Sequence, residues 1–240
     1  MSSGLYVALS AQMAMERRLN TIASNVANMN TPGYRAEEIK FSALLSKAGK
    51  AEVAYSSANE SYTSTRAGQV TYTGNPLDVA PQGDAWFAVQ TPAGRAYTRD
   101  GRLQMSATGE LKTVDNFPML DAGGTMLMLD PAGGAPTIGA DGAITQGGNI
   151  VGSIGLYQIP ASAKLTRNGA STVIPDKPAQ AVQDFSAVGV RQGYVEGSNV
   201  EPIQEMSRLI MVQRAFEMAA SAVQLNEDST SEAIRSLGPA

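Results

Sequence analysis

The sequence LYVALSAQMAMERRLNTIASNVANMNTPG, residues 5–33, decides how the chain begins to fold. Mostly apolar residues recur in it at alternating steps of three and four, the spacing of one face of a heptad helix: Leu5, Ala8, Gln12, Met15, Leu19, Ile22, Val26 and Met29. The spacing predicts one amphipathic helix of about seven turns. Asn28 and Pro32 are expected to end it, because Asn tolerates the left-handed C-cap conformation and proline disfavours helix in the residue before it. Pro32-Gly33 also suits the centre of a type II turn.

The same spacing returns near the other end of the chain, at Met206, Leu209, Gln213, Phe216, Ala220 and Val223. It predicts a second long amphipathic helix. The start of that helix is predicted in the segment Gly197, Ser198, Asn199 and Val200. Ser198 and Glu201 have the spacing of a capping box, and Pro202 is tolerated in a first turn. A lone amphipathic helix gains little stability in water, so the two helices are expected to pair with each other or with another molecule.

The middle of the chain is rich in glycine and proline, with 20 of the 24 Gly and nine of the 12 Pro between positions 68 and 197. Short strands are predicted at 69–73, 77–80, 85–90, 95–99, 103–106, 126–129, 153–159 and 188–195. Asp100-Gly101 and Asp141-Gly142 are predicted to form hairpin-type turns. Because no helical periods lie between these strands, the pattern favours an antiparallel all-β domain.

The predicted fold class is therefore α+β, with a central all-β domain of short antiparallel strands flanked by long terminal amphipathic helices. The predicted division has three parts: a discontinuous helical domain over 1–30 and 200–240, an extended connector over 31–68 and 186–199, and an all-β domain over 69–185. The connector is rich in Ser, Ala and Glu, and one helical stretch is expected in it at Glu37–Ser46.

The composition excludes much familiar catalytic chemistry, because the chain has no His and no Cys. Ser-His-Asp triads, thiol nucleophiles, zinc sites of imidazole or thiolate ligands, and disulfides are therefore ruled out. The 18 Lys and Arg against 22 Asp and Glu give a net charge of −4 with no long basic block, which disfavours nucleic acid as a partner. No apolar run approaches the ~20 residues of a membrane span, and the N-terminal stretch does not follow the pattern of a cleaved secretory signal.

The remaining candidate motifs favour ordinary structural roles. Glycine pairs such as Gly123-Gly124 do not fit a phosphate-binding fingerprint and are predicted to be turns. Acidic residues occur singly, mostly beside Gly, Asn or Pro, and are also assigned to turns: Asp100, Asp115, Asp121, Asp130 and Asp141. Trp86-Phe87 opens an alternation that favours a core strand over an exposed binding anchor. We expect no catalytic residue, metal site or cofactor, and keep a secreted β-rich hydrolase with paired carboxylates as the alternative of another class.

Three groups of motifs, in order, resemble the rod and hook family of axial proteins of the bacterial flagellum. The first is NVANMNTPGY at 25–34, where the N-terminal helix ends. The second is NPLDVA at 75–80 with GDAWFAV at 83–89 and YTRDG at 97–101. The third is GYVEGSNV at 193–200, followed by VQRAFE at 212–217. The chain length and the central pieces resemble the proximal-rod members, with the distal-rod members as the alternative within the family.

The resemblance implies a structural subunit without enzymatic activity. Such a subunit polymerises helically through its terminal helices and forms part of the proximal rod, which is the drive shaft and export channel of the flagellum. The implied partners are copies of itself, other rod proteins and the flagellar type III export apparatus, with no nucleic acid and no small-molecule substrate. The implied location is the basal-body rod that spans the periplasm, reached without a cleaved signal peptide.

The implied functional residues are assembly residues. The expected assembly interface consists of Leu5, Met15, Leu19, Ile22 and Val26 in the first helix and Met206, Leu209, Ile210, Phe216 and Val223 in the second. The motif turn, which sets the direction in which the chain leaves the first helix, consists of Asn25, Asn28, Thr31, Pro32, Gly33 and Tyr34.

Overall fold

A computed structural model describes the backbone of residues 2–46 and 53–237 and the side chains of residues 9–39, 61–225, 228 and 235. Its contacts divide the chain into two compact units. The first, here called the helical unit, comprises residues 1–27, 37–64 and 201–240. The second, here called the β unit, comprises residues 28–36 and 65–200.

The helical unit contains the helices α1 (Ser2–Ala27) and α2 (Pro202–Leu237) and the strands β1 (Glu37–Ser46) and β2 (Val53–Thr63). The two strands pair antiparallel, and α1 contacts both α2 and this strand pair. Both helices lie where the three-four spacing of the sequence predicts them. α1 ends directly before Asn28, and α2 begins at Pro202, after the predicted start segment.

Residues Glu37–Ser46 form strand β1, so the helical stretch predicted there is wrong. A ten-residue helix is marginal in water, whereas pairing with β2 satisfies the backbone groups of the segment. The sequence Ile39-Lys40-Phe41-Ser42 alternates apolar and polar residues, which is the period of a strand. The segment predicted as a connector over 31–68 is divided between the units, because 37–64 group with the helices.

The β unit contains fifteen short strands. They are β3 (Val70–Tyr72), β4 (Val79–Gln82), β5 (Trp86–Thr91), β6 (Gly94–Thr98), β7 (Leu103–Met105), β8 (Leu111–Thr113), β9 (Thr137–Ile138), β10 (Ala143–Gln146), β11 (Asn149–Ser153), β12 (Leu156–Gln158), β13 (Leu165–Arg167), β14 (Thr172–Pro175), β15 (Gln180–Ala181), β16 (Gly189–Gln192) and β17 (Tyr194–Glu196). The largest sheet has the order β13-β14-β6-β5-β12-β15, and β9–β11 form a three-stranded sheet. The pairs β4–β16, β3–β17 and β7–β8 complete the unit. The pairing is antiparallel, and the predicted α+β class is confirmed.

The core of the β unit lies on both faces of strand β5. Phe87 and Val89 belong to the larger cluster of buried side chains, which also includes Leu111, Met119 and Ile144. Trp86 and Ala88 belong to a second cluster, which also includes Tyr97 and Tyr157. Successive side chains of a strand point to opposite faces, so β5 is buried on both. The prediction of a core strand at Trp86-Phe87 is confirmed.

The two predicted hairpin turns differ in outcome. Asp141-Gly142 joins β9 to β10, which pair with each other, and Gly142 has a φ of 84°. Asp100-Gly101 joins β6 to β7, which lie in different sheets, so the hairpin predicted there is wrong. Glycine is needed at 101 for another reason, because a Cβ there would strike the carbonyl oxygen of Val79.

Candidate functional site

Helix α2 carries apolar side chains on two opposite faces. The first face is buried or half-buried in the helical unit and includes Leu209, Val212, Phe216 and Val223. The second face is exposed and consists of Ile203, Ile210, Met218 and Leu225, whose exposed fractions are 82%, 53%, 68% and 70%. These four residues follow at steps of seven and eight, which places them along one side of a helix. The second face is called the exposed α2 stripe below.

The residues predicted for the assembly interface divide by exposure. Ile22 is buried, and Met15, Leu19, Val26, Leu209, Phe216 and Val223 are half-buried. Met206 and Ile210 are exposed, at 47% and 53%. The side chain of Leu5 lies outside the described residues. An assembly role for these residues stays a prediction.

The buried face of α2 is offset from the predicted seam. Met206 and Gln213, which the three-four spacing places on the same face as Leu209, are exposed, whereas Glu205 and Val212 are buried. The carboxylate of Glu205 accepts a hydrogen bond from Arg208 at 2.6 Å and a longer one of 3.5 Å from Asn25. These polar contacts allow a charged residue to take a buried position that an apolar period alone assigns to a neighbour.

The side chain of Asn25 in α1 is hydrogen-bonded to the backbone at the start of β1. Its Nδ2 donates to the carbonyl oxygen of Glu37 and its Oδ1 accepts from the amide of Glu37, both at 2.9 Å. Asn25 is only 2% exposed, so these bonds satisfy a buried side-chain amide as well as both backbone groups of Glu37. Asn25 was predicted as part of the motif turn. Its hydrogen bonds to Glu37 were not predicted, because the sequence did not indicate that a strand begins there.

Residues 31–34 of the motif turn form a tight turn in the first segment of the β unit. The amide of Tyr34 donates to the carbonyl of Thr31 at 3.2 Å, and Gly33 has a φ of 69°, the conformation that the second central position of a type II turn requires. A Cβ at Gly33 would strike the backbone nitrogen of Asp100. Tyr34 is fully buried, and the guanidinium of Arg167 lies 4.3 Å from the centre of its ring. Pro32 is half-buried.

The predicted helix-start segment lies before α2 and belongs to the β unit. Ser198 accepts a hydrogen bond from the amide of Val200 at 3.2 Å, and α2 begins only at Pro202, so Ser198 does not directly precede the helix as the predicted capping box requires. Asn199 bonds instead to two other parts of the β unit: its Oδ1 accepts from the amide of Ala36 at 2.7 Å, and its Nδ2 donates to the carbonyl of Arg66 at 2.8 Å. Its own side-chain bonds therefore hold Asn199 outside the helix.

The β unit also contains a buried ionic triad, which consists of Arg35, Arg99 and Glu196. The carboxylate of Glu196 pairs with Arg35 at 2.8 Å and with Arg99 at 2.7 Å, and all three side chains are at most 4% exposed. Glu196 also accepts from the amide of Gly68 at 2.9 Å. Burial, followed by the charge of Arg99, lowers the pKa of Arg35 to about 10, against the opposing effect of Glu196. The sequence analysis missed this triad, because its members lie far apart along the chain.

Three of the acidic residues singled out in the sequence, Asp121, Asp130 and Asp141, accept hydrogen bonds from backbone amides of their own turns. Asp121 accepts from the amides of Gly123 and Thr125 at 2.8 and 2.7 Å, and Asp141 accepts from the amide of Ala143 at 3.1 Å. Within the described part of the chain there is no group of three or more acidic side chains that could hold a metal ion. The same part contains no helix that is both long enough and apolar enough to span a membrane.

Three family models match the chain. A model described as "Flagella basal body rod protein" matches residues 5–35, one described as "Flagellar hook protein FlgE/F/G D1 domain" matches 80–164, and one described as "Flagellar basal body rod FlgEFG protein C-terminal" matches 191–235. Each of these regions overlaps one of the three groups of motifs found in the sequence, although NPLDVA at 75–80 lies at the edge of the central match.

Relatives are similar over the whole length of the chain. The flagellar basal-body rod protein FlgF of Mesorhizobium japonicum is 51% identical and that of Rhizobium meliloti is 47% identical, each over 99% of both chains. The rod protein FlgG of Agrobacterium fabrum is 28% identical over 95% of this chain and 96% of its own. The identity to these two FlgF proteins is therefore higher than the identity to this FlgG protein.

Proposed function

This chain belongs to the family of flagellar basal-body rod proteins, and we propose from that premise that the exposed α2 stripe is a contact through which its copies polymerise. As a member of this family the chain is a structural subunit of the flagellar rod, located in the basal body.

The observation that carries the proposal is the exposure of the α2 stripe. Four large apolar side chains lie open along more than 20 residues of one helix, at 53–82% exposure. Burying such a side chain completely stabilises a contact by about 1.5–3 kcal/mol. A stripe of this length can therefore supply much of the free energy of one subunit contact. The opposite face of α2 is already used within the helical unit, so the stripe is the side that a neighbour can cover.

A helical polymer needs contacts that do not close on themselves. Two different patches on each subunit, joined head to tail, generate an open helix when the rotation between them does not close. The exposed α2 stripe supplies one apolar patch. Leu9 and Met13 on α1, at 46% and 51% exposure, supply apolar surface on another element and are candidates for the second patch. Of the predicted interface residues, Ile210 lies on this stripe and is exposed, and Met206 is exposed outside it.

The remaining parts of the proposal rest on the family resemblance. We infer that the subunit is exported by the flagellar type III apparatus without a cleaved signal, that its rod crosses the periplasm, and that its neighbours include other rod proteins. We also infer that the chain has no catalytic activity. The turn contacts of Asp121 and Asp141 support this last point, because they give these carboxylates a structural role.

The test is the substitution Met218→Asp with Gln213→Asp as its matched control. Both sites are exposed on α2, but only Met218 lies on the stripe. Each purified variant should unfold within about 0.5 kcal/mol of the wild type, since exposed substitutions change stability little. In a strain lacking the wild-type protein, Met218→Asp should abolish rod formation in electron micrographs of basal bodies and stop motility, while Gln213→Asp should restore both. Normal rods with Met218→Asp would show that the stripe is not a polymer contact.

A further inference from the structure

A cleft of about 490 Å³ lies beside the buried ionic triad of the β unit. Arg35 and Arg99 line it, and Arg191 and Asp84 are exposed residues of its wall. The guanidinium of Arg191 lies 3.9 Å from the centre of the Tyr194 ring, which restricts where its charge can be placed. The cleft therefore has two buried guanidinium groups, one exposed guanidinium group and one exposed carboxylate around it.

The charge of the triad is not balanced internally. Arg35 and Arg99 share the single carboxylate of Glu196, so the three buried side chains carry a net positive charge. An unpaired charge is costly in a buried environment, where the attraction to an added anion is correspondingly strong. The carboxylate of Asp84 also raises the pKa of Arg35, but its effect is weaker than those of burial, Arg99 and Glu196.

The two buried guanidinium groups differ in whether all of their N–H groups have acceptors. Arg99 is saturated: its Nε donates to Glu196 at 2.7 Å, its Nη1 donates to the carbonyls of Gly83 and Ala85, and its Nη2 donates to that of Pro81. Arg35 donates from Nη1 to the carbonyl of Thr65 at 3.2 Å and from Nη2 to Glu196 at 2.8 Å. The Nε–H of Arg35, however, is buried and has no acceptor.

We propose that this cleft is a binding site for a carboxylate group, which would balance the charge of the triad next to the unpaired Nε–H of Arg35. Guanidinium groups bind carboxylates with short, charge-assisted hydrogen bonds, and a donor already fixed by its neighbours loses little freedom on binding. Arg191 strengthens the attraction from the wall of the cleft, and Asp84 opposes it.

The carboxylate that fills the cleft in the rod belongs to an acidic side chain of a second copy of this chain. The basis is charge complementarity, because each copy has a net charge of −4 while this cleft has a local excess of arginine. This part of the inference rests on the proposed function, whereas carboxylate binding itself belongs to the single chain. The two parts can therefore be tested separately.

The first experiment uses acetate as the probe and the full chain labelled with ¹⁵N in its arginines. The Nε–H resonance of Arg35, assigned with Arg35→Lys, should shift saturably with sodium acetate and should not shift with sodium chloride at the same ionic strength. Arg191→Gln should weaken acetate binding about threefold and Asp84→Asn should strengthen it about threefold, the range typical of exposed charge pairs. Arg95→Gln is the matched control, because Arg95 also stacks on a tyrosine, Tyr157, but does not line the cleft.

Opposite effects of Arg191→Gln and Asp84→Asn on acetate affinity are a result that a purely structural triad would not produce. If the Nε–H resonances show no saturable shift, or if Arg191→Gln and Arg95→Gln bind acetate equally, the carboxylate site is refuted. These variants are exposed at the substituted positions, so the result does not depend on whether Arg35→Lys folds. If Arg35→Lys does not fold, the arginine Nε–H resonances are still followed during the acetate titration of the wild type.

The second experiment identifies the source of the carboxylate in the cell. Rod formation should be reduced with Arg191→Gln and normal with Arg95→Gln. If acetate binds as described but both variants form normal rods, a neighbouring copy is not the source and the cleft binds a free carboxylate. Rod formation with Met218→Asp is independent of this outcome, so the α2 contact and the carboxylate site can fail separately.

Discussion

The two units of this chain bury very different kinds of side chain. In the β unit, large apolar residues such as Phe87, Leu111 and Met119 are completely buried. In the described part of the helical unit, Ile22 and Val212 are the only large apolar side chains that are buried, beside Ala14, Asn25, Thr63, Ser64 and Glu205. The helical unit also leaves apolar residues open on both of its helices.

Under the proposed assembly through α2, this difference separates the surface that stabilises the fold from the surface that contacts neighbours. Burial of apolar surface is the main favourable term in folding, so the β unit contains its own source of stability. In its described part the helical unit buries fewer large apolar side chains, and it leaves apolar residues of both helices exposed. Four predictions test this contrast, beginning with the largest expected effect.

The first prediction compares the same substitution in each unit. Phe87→Ala should reduce the free energy of unfolding of the β unit by about 3–5 kcal/mol, because it leaves a cavity in a fully buried site. Phe216→Ala, at a half-buried site of α2, should cost about 1 kcal/mol in the single chain. Urea unfolding of the wild type and both variants measures this, with the circular dichroism of the helices reporting on the helical unit and the fluorescence of Trp86, the only Trp, reporting on the β unit. Equal losses would remove the contrast between the units.

The second prediction compares a buried glutamate in each unit. Glu196→Gln leaves Arg35 and Arg99 without their shared anion and should cost about 3 kcal/mol. Glu205→Gln should cost about 1 kcal/mol or less, because its partner Arg208 is 46% exposed and remains solvated. The measurement is again the urea midpoint. A small loss with Glu196→Gln would mean that the triad relaxes to admit water.

The third prediction concerns the motif turn, which the contacts assign to the β unit. Gly33→Ala should cost about 2–3 kcal/mol, because Ala is strained at positive φ and its Cβ would strike the backbone of Asp100. The control is Gly134→Ala, where φ is also positive at 77° but a Cβ would meet nothing within 4 Å, and where about 1 kcal/mol is expected. If thermal melting shows equal costs, the turn is not packed against the β unit.

The smallest effect is a pH dependence confined to the β unit. Burial raises the pKa of Tyr157, whose hydroxyl donates to the carbonyls of Asp121 and Ala122 at 3.0 Å. The folded pKa lies above the unfolded value of about 10, so this stabilisation is complete below pH ~10 and is lost as the pH rises through the folded pKa. The difference in unfolding free energy between wild type and Tyr157→Phe should therefore narrow at high pH. A constant difference across this range would contradict the raised pKa.

Local patterns were sufficient for much of this architecture. The three-four spacing located both helices, because one helix face repeats over a few residues regardless of what covers it. The alternation of Trp86 to Val89 located a core strand for the same reason. The motifs at 25–34, 75–101 and 193–217 also carried the family resemblance, since each is a continuous stretch.

Partners distant in sequence decided the rest. Glu37–Ser46 is a strand because β2 pairs with it, and Glu205 is buried because Asn25 and Arg208 satisfy its carboxylate. The helix-start segment stays outside α2 because Asn199 bonds to Ala36 and Arg66.

The sequence by itself determined which segments are helical, which are β and to which family the chain is related, because these follow from periods and motifs within short stretches. Only the tertiary structure decided which charges are buried and which apolar faces stay open. The triad of Arg35, Glu196 and Arg99 joins residues up to 161 positions apart, and no local pattern marks them as partners. The opposite faces of α2 likewise have similar sequence periods, and only the contacts of the folded chain determine which of them remains exposed.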